Sequence, residues 1–436
     1  MIINNQNIQG GKILQEVNLK KYRKKMWFIL SFGFLLAFFH RYSIGVLSNI
    51  LSEEMGLTAA NLGLLTSMYF YAYAFLQVPV GILGDKYGVK IVTTFGMIFM
   101  GIGAFLFGIS GSMLTVSLAR LLIGIGSACF FISILKMIAI WFPPTQFTKY
   151  NGWTSVMGNI GALLAASPFS FFLEIVNWRT SFFIFSGISI IMAILIWRYV
   201  YDYPQELGFN LKEESKIEKR SFKEILSEIK VLASNLQFWL YFILLFVMMG
   251  SIMSLAGLWI VPFMMHTYNL SRSIAANFSL ILTVGLITTS VFLGWIELKF
   301  KNRIRMIRFS VFTVTLSWIY FIFIQGGKPP IIHLILLLFI IGGVSLFVMV
   351  TFGVIKELFP QLKGGSMGLI NLAPFLGTIF FNSIIGWILD NTWKGEIING
   401  SRIYTLAGYR QGFMVILILM ILVIALSFKL KKPKKQ

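Results

Sequence analysis

Gly81-Ile82-Leu83-Gly84-Asp85-Lys86-Tyr87-Gly88-Val89-Lys90 is the stretch on which the reading of this chain turns. It lies between two long apolar runs, 61–83 and 91–112. Gly81 permits close approach of a neighbouring helix, and Gly88 permits a tight turn. Asp85 is suited to sit near a helix terminus or to pair with a basic group on a neighbouring helix, where losing the partner would be costly.

Outward from this loop the chain is apolar. Of 436 residues 57% are hydrophobic and 12% are charged, about half the charged fraction of a soluble domain. A helix needs roughly 20 apolar residues to cross a bilayer. Twelve such stretches are expected, at 27–50, 61–83, 91–112, 115–141, 148–173, 178–201, 237–265, 274–298, 304–325, 330–355, 364–390 and 408–429. The stretches 148–173 and 364–390 are rich in Gly, Ser, Asn and Pro, residues common where membrane helices pack or line a cavity. The fold class expected is an all-α membrane protein, twelve transmembrane helices in two pseudo-symmetric six-helix bundles.

The net charge of +21 would suit nucleic acid, but its distribution argues against that partner. Of 37 Lys and Arg, 28 fall on one side of the membrane, six on the other, and three, Arg41, Arg120 and Lys136, inside spans. This positive-inside bias places both termini in the cytoplasm of a bacterial-type inner (plasma) membrane. The cluster Lys20-Lys21-Tyr22-Arg23-Lys24-Lys25 and the tail Lys431-Lys432-Pro433-Lys434-Lys435 fit anionic lipid headgroups. The first apolar stretch is too long for a signal peptide and is expected to stay as a membrane helix. The single cysteine, Cys129, excludes an intramolecular disulfide. No Cys/His cluster suggests a metal, and no cofactor is expected. A monomer is expected.

Residues 202–236 are the one long polar interruption. They divide the chain into a basic amino-terminal segment 1–25, a bundle 26–201, a cytoplasmic linker 202–236 with a short surface helix at 221–235, a second bundle 237–429, and a basic tail 430–436. The halves echo each other. Ala59-Ala60-Asn61 recurs as Ala275-Ala276-Asn277, Gly152 and Gly161 as Gly368 and Gly377, and Pro144 as Pro360, all at the same offset of 216 residues. Collinear matches favour duplication, which is common in secondary transporters.

The loop fits the pattern Gly-x-x-x-Asp-Lys-x-Gly-x-Lys, on Gly81, Asp85, Lys86, Gly88 and Lys90. It resembles the signature between helices two and three of the major facilitator superfamily. Without it, the stretches could belong to a channel, a receptor or a membrane enzyme. The resemblance implies that the loop acts as a latch for the outward-facing state; Val89 stands where a second basic residue is usual. The corresponding place in the second half, Gly294-Trp295-Ile296-Glu297-Leu298-Lys299, is degenerate. Arg120-Leu121-Leu122-Ile123-Gly124-Ile125-Gly126 also matches a superfamily pattern in helix four.

Arg41, in Phe38-Phe39-His40-Arg41-Tyr42, is too deep in the first span to reach either interface easily. An arginine inside a membrane normally faces the protein interior or a water-filled cavity, and its planar fork suits carboxylate or phosphate. A first-helix arginine at this depth resembles the organic-phosphate antiporters and the anion:cation symporters, which implies contact with an anionic substrate; a structural arginine is the other reading. The antiporters' second arginine in helix seven is missing here. Where the symporters carry acids, this chain has His40 and Ser127. His40 is then the mid-membrane group open to proton coupling; packing alone, in a facilitator without coupling, fits equally. Tyr69, Tyr73 and Gln77 share a helix face and, with Arg41, Arg120 and Asn371, are the candidate substrate-binding residues. Trp153, Ser251, Ser254 and Asn382 are further cavity candidates. Lys136 is expected to snorkel toward the interface.

The function expected is movement of a small organic anion or zwitterion by rocker-switch alternating access, with a proton as the open second cargo. Efflux of amphiphilic compounds would favour a mid-membrane acid and an antiporter motif in helix five. A non-transporting sensor on the same fold would favour an appended soluble domain. No nucleophile–base constellation points to an enzyme. The topology is testable in a Cys129→Ala background. Ser215→Cys and Ile398→Cys are treated with an impermeant thiol reagent on intact cells: label is expected at 398 and absent at 215, and the reverse pattern inverts the assignment.

Overall fold

The spans begin where short polar side chains can take up free helix N–H groups. Thr58, Ser112, Asn177 and Thr405 each accept a bond from a backbone N–H in the first turn of the following helix, satisfying groups that apolar sequence cannot. The computed structural model describes residues 2–209, 230–300, 302–360, 362 and 365–431.

Among the described residues nine helices are long and apolar enough to cross a membrane, and two further bent pairs each make one span. The helix Ala59–Ile109 has 51 residues, far longer than a bilayer requires. It breaks at Gly88, whose φ of 86° and ψ of 167° are non-helical, and so forms spans two and three. Among the described residues the count is therefore twelve. Span one joins Ile2–Tyr42 to Ile44–Met55 across a 48° bend; its helix runs back through the basic segment 1–25. Span four is Met113–Trp141, and span six is Trp178–Tyr199. Span five divides at Ala165-Ala166 into Pro144–Leu164 and Ser167–Ile175, bent by 44°. Span seven, Leu236–Tyr268, contains a π-helical turn at Leu255–Trp259. Spans eight to twelve are Arg272–Phe300, Arg303–Gly327, Ile331–Leu358, Gly368–Asn391 and Leu406–Ser427. Of the surface helix expected at 221–235, residues 230–233 are helical, 234 and 235 form the turn into span seven, and 221–229 lie outside the described residues, as do the tail lysines Lys432, Lys434 and Lys435.

The duplication seen in the sequence recurs in the packing. Gly161 lies against the Leu35 backbone, span five on span one, and Gly377 lies against the Phe246 backbone, span eleven on span seven. The two six-helix bundles thus use equivalent close contacts. Between them, span two meets span eleven, span five meets span eight, and span one meets span seven.

These seams are closed on the face opposite the termini. A Cβ on Gly63 would collide with the Asn382 backbone, and one on Gly386 would come 2.5 Å from the Ala59 carbonyl. The Asp390 carboxylate at the end of span eleven caps the start of span two. Ala59 N donates to its Oδ1 at 3.1 Å and Ala60 N to its Oδ2 at 2.9 Å. Tyr404 donates its hydroxyl to Asp390 Oδ1 at 2.7 Å and accepts from Ala59 N at 2.8 Å. Burial and the adjoining carboxylate hold the Tyr404 phenol above its ordinary range, so it stays a donor. A small hairpin, β1 (Ile397–Ile398) and β2 (Ser401–Arg402), lies over this seam, with Ser401 donating to Asn49 Oδ1 at 3.2 Å. On the other seam, Ser167 donates to Asn277 Oδ1 at 2.5 Å.

Asp390 therefore ties the bundles by completing a helix cap. Removing a cap costs typically about 1 kcal/mol and a charge-assisted bond about 1.5–3. Asp390→Ala is expected to shift the population toward opening on this face by roughly five- to thirtyfold. Distances between spin labels at residues 61 and 384 would lengthen; unchanged distributions would remove Asp390 from the seal.

Candidate functional site

Arg41 sits just before the bend in span one and is 3% exposed. Five aromatic rings surround it. Its guanidinium carbon is 4.3 Å from the Phe38 ring centroid, 4.6 Å from Tyr73, 5.4 Å from Phe375, 5.6 Å from Tyr69 and 5.9 Å from Phe70. Phe38 is one turn back on the same helix. Tyr69 and Tyr73, one turn apart on span two, stack with centroids 6.0 Å apart, which places the expected tyrosine stripe against the arginine. Phe375 reaches the group from span eleven in the second bundle and meets Tyr73 edge-on at 4.8 Å. Among the described residues no carboxylate pairs with Arg41. Its Nε and Nη2 are buried without a hydrogen-bond partner.

Arg120 is fully buried in span four. Its guanidinium carbon lies 5.0 Å from the centroid of Tyr69, a ring also near Arg41, and its Nη1 donates to the His40 carbonyl at 2.6 Å. Nε and Nη2 of Arg120 are likewise without partners. One arginine is thus caged, and the other holds the backbone next to it. The His40 ring is fully buried against Phe39, Phe182 and Phe185, each 5.8 Å away by centroid, and neither ring nitrogen has a hydrogen bond. It faces span six while Arg41 faces spans two and eleven, as successive residues on a helix require.

Gln77 is buried one turn beyond Tyr73, with its Nε2 unpartnered. Asn371 is half-buried at the start of the Leu372–Asn391 helix, one turn from Phe375, and makes no capping bond. Of the further candidates, Ser254 donates to Asn382 Oδ1 at 2.7 Å, Ser251 bonds back to Met248 O, and Trp153 is exposed. Sequence reasoning missed Phe38, Phe70 and Phe375. Phe38 stands three residues from Arg41, a spacing that could have suggested contact; Phe375 had no such signal, because its neighbour lies in the other bundle.

The gating loop is held on two sides. Lys136 of span four donates to the Gly84 carbonyl and to Asp85 Oδ1, the latter at 2.9 Å. Its reach is thus toward the loop between spans two and three, where it finds an acid that its own stretch of sequence does not reveal. Asp202, just after span six, accepts from Lys90 N at 3.0 Å and so caps span three where Gly88 breaks the helix. The Lys90 amine lies over Trp197 at 4.9 Å, the Lys86 amine lies over Tyr87, and the surroundings of Gly81 are open. The degenerate copy in the second half has its own clasp, Arg303 between Glu297, at 2.5 Å, and Glu357.

Twelve spans in two related bundles, sealed on one face around a buried cation, define a multi-pass membrane transporter. The family description "Major Facilitator Superfamily" matches residues 30–382, and this chain belongs to that family. It is 26% identical to an uncharacterized transporter, YybO, of Bacillus subtilis, over 95% of this chain and 97% of that one. It is also 26% identical to the hexuronate transporter of the same species, over 39% of this chain and 41% of that one. A probable sulfoacetate transporter, SauU, of Cupriavidus necator matches at 26% over 41% of each chain. In three dimensions it resembles a bacterial homologue of the human lysosomal transporter Spinster, with a TM-score of 0.73 at 18% identity over 94% of this chain and 97% of that one. The family and these relatives are transporters, not enzymes.

The clasp on the loop yields a test. Asp85→Asn keeps the shape but leaves Lys136 half-buried without its anion, a change worth about 1–3 kcal/mol. It is expected to leave membrane insertion intact and to slow transport several-fold by shifting the balance of the two open states. Wild-type rates together with unchanged spin-label distances would show the pair to be idle.

Proposed function

We propose that this protein carries a small organic anion, a carboxylate in the first instance, across the plasma membrane by alternating access. The observation that carries the proposal is the Arg41 guanidinium. It is buried, ringed by π-systems, without a carboxylate partner among the described residues, and has two nitrogens unbonded. An arriving carboxylate supplies both the missing charge and the planar pair of acceptors that the guanidinium fork matches. The printed names of several relatives support the same reading: hexuronate, L-galactonate, tartrate and sulfoacetate are all organic anions. Arg120 acts beside it, steadying the His40 carbonyl and adding positive potential; Tyr69, Tyr73, Gln77 and Asn371 line the approach.

With the termini assigned to the cytoplasm on charge bias, the seal at Asp390 closes the outer face. The conformation is then the one from which cargo exchanges with the cytoplasm. In this reading the loop at Asp85 is released from its latching role and rests on Lys136. Coupling to protons through His40 would act indirectly, since its ring faces away from the cage and only its carbonyl touches Arg120. The alternatives are an efflux carrier for amphiphiles and a non-transporting sensor; neither accounts for an unpaired guanidinium at this depth.

The test is binding and uptake by purified variants, with folding checked by gel filtration. Arg41→Lys keeps the charge and loses the fork, and is expected to weaken carboxylate binding about tenfold; Arg41→Gln removes both and is expected to cost roughly a hundredfold. Normal transport of a carboxylate by Arg41→Gln would make Arg41 structural and end the proposal.

A further inference from the structure

The cage is built for a cation and walled by rings; the free amide donor of Gln77 stands one turn beyond Tyr73. Its walls are Phe38, Tyr69, Phe70, Tyr73 and Phe375, drawn from both bundles. Several hydroxyls on and near these turns already donate within the protein. Tyr69 donates to the Ala37 carbonyl at 3.0 Å, Ser254 to Asn382 at 2.7 Å, and Thr378 to the Pro374 carbonyl at 2.8 Å. A sugar acid brings several hydroxyls besides its carboxylate. Each one buried without a partner lowers affinity by about tenfold. An apolar or aromatic body meets ring faces and loses nothing of that kind, and aromatic pairs add their own edge-to-face attraction.

We infer that the cargo of this site is a carboxylate with an apolar, preferably aromatic, body rather than a polyhydroxy acid. The inference rests on the carboxylate reading above and narrows it. The guanidinium takes the acid group by its edge, because Phe38 and Tyr73 stand closest to it. The body then lies along Phe70 and Phe375, which are stacked with centroids 6.3 Å apart. Since Phe375 belongs to span eleven and Phe70 to span two, such a body would touch both bundles at once.

Three probes separate the possibilities, applied by calorimetry to the purified full-length protein: phenylacetate, galacturonate and the neutral 2-phenylethanol. Phenylacetate is expected to bind at least tenfold more tightly than galacturonate, and 2-phenylethanol at least tenfold more weakly than phenylacetate. Phe375→Leu, which keeps an apolar side chain and should fold, is expected to weaken phenylacetate several-fold more than it weakens galacturonate. Galacturonate binding as tightly as phenylacetate, or more tightly, overturns the aromatic body and leaves the carboxylate reading standing. Equal binding of 2-phenylethanol and phenylacetate, unaffected by Arg41→Gln, overturns the carboxylate reading itself. Absence of phenylacetate binding overturns the inference whatever the other two probes do.

Discussion

A permanent positive charge sits in the interior of this protein with aromatic rings for company. The cost of an arginine at the centre of a bilayer is about 2.5–3.5 kcal/mol on insertion scales and ten or more in simulations of an isolated helix. A cation over a ring returns about 0.5–1 kcal/mol when exposed and about 2 or more when desolvated. Five rings around Arg41 offset much of that cost, even allowing for imperfect geometry. They do so without forming a hydrogen bond to Nε or Nη2. Rings stabilise the charge while leaving its donors free, which a buried aspartate would not do. The folded protein can therefore hold this charge without a carboxylate beside it among the described residues.

The cage and the seal share their supports. Span two carries Tyr69 and Tyr73 at the cage and Ala59 and Gly63 at the seal; span eleven carries Phe375 at the cage and Asn382, Gly386 and Asp390 at the seal. A helix advances 1.5 Å per residue and does not stretch. Displacement of span eleven from the start of span two must then also move Phe375 relative to Tyr73. The Arg41 surroundings cannot stay as they are while the far face opens. This mechanical link makes the surroundings of Arg41 and the closure of the seal parts of one arrangement.

Much of this was legible in the sequence, for identifiable reasons. Spans are legible because a bilayer demands long apolar runs. The loop at Gly81–Lys90 is legible because its spacing is local, and the tyrosine stripe because helix periodicity is local. Arg41 is legible because a charge in an apolar run is conspicuous. What stayed hidden depends on which distant helices meet. Lys136 reads as a snorkelling residue until Asp85, 51 residues away, is placed beside it. Asp390 reads as an ordinary charge at a span end, and its capping of a helix that begins 331 residues earlier in the chain has no local trace. Phe375 is one of 43 phenylalanines, and nothing in its own neighbourhood marks it out.

Gly63 and Gly386 give the seal an atomic tolerance. Each lies so close to the opposite backbone that a single methyl group does not fit. That demand exists only while the two helices touch; once they part, alanine at either position meets open space. A one-carbon wedge therefore discriminates between two shapes of the same molecule without introducing a charge or a polar group. Alanine at these positions gives a handle for holding the transporter in the arrangement opposite to the one described here.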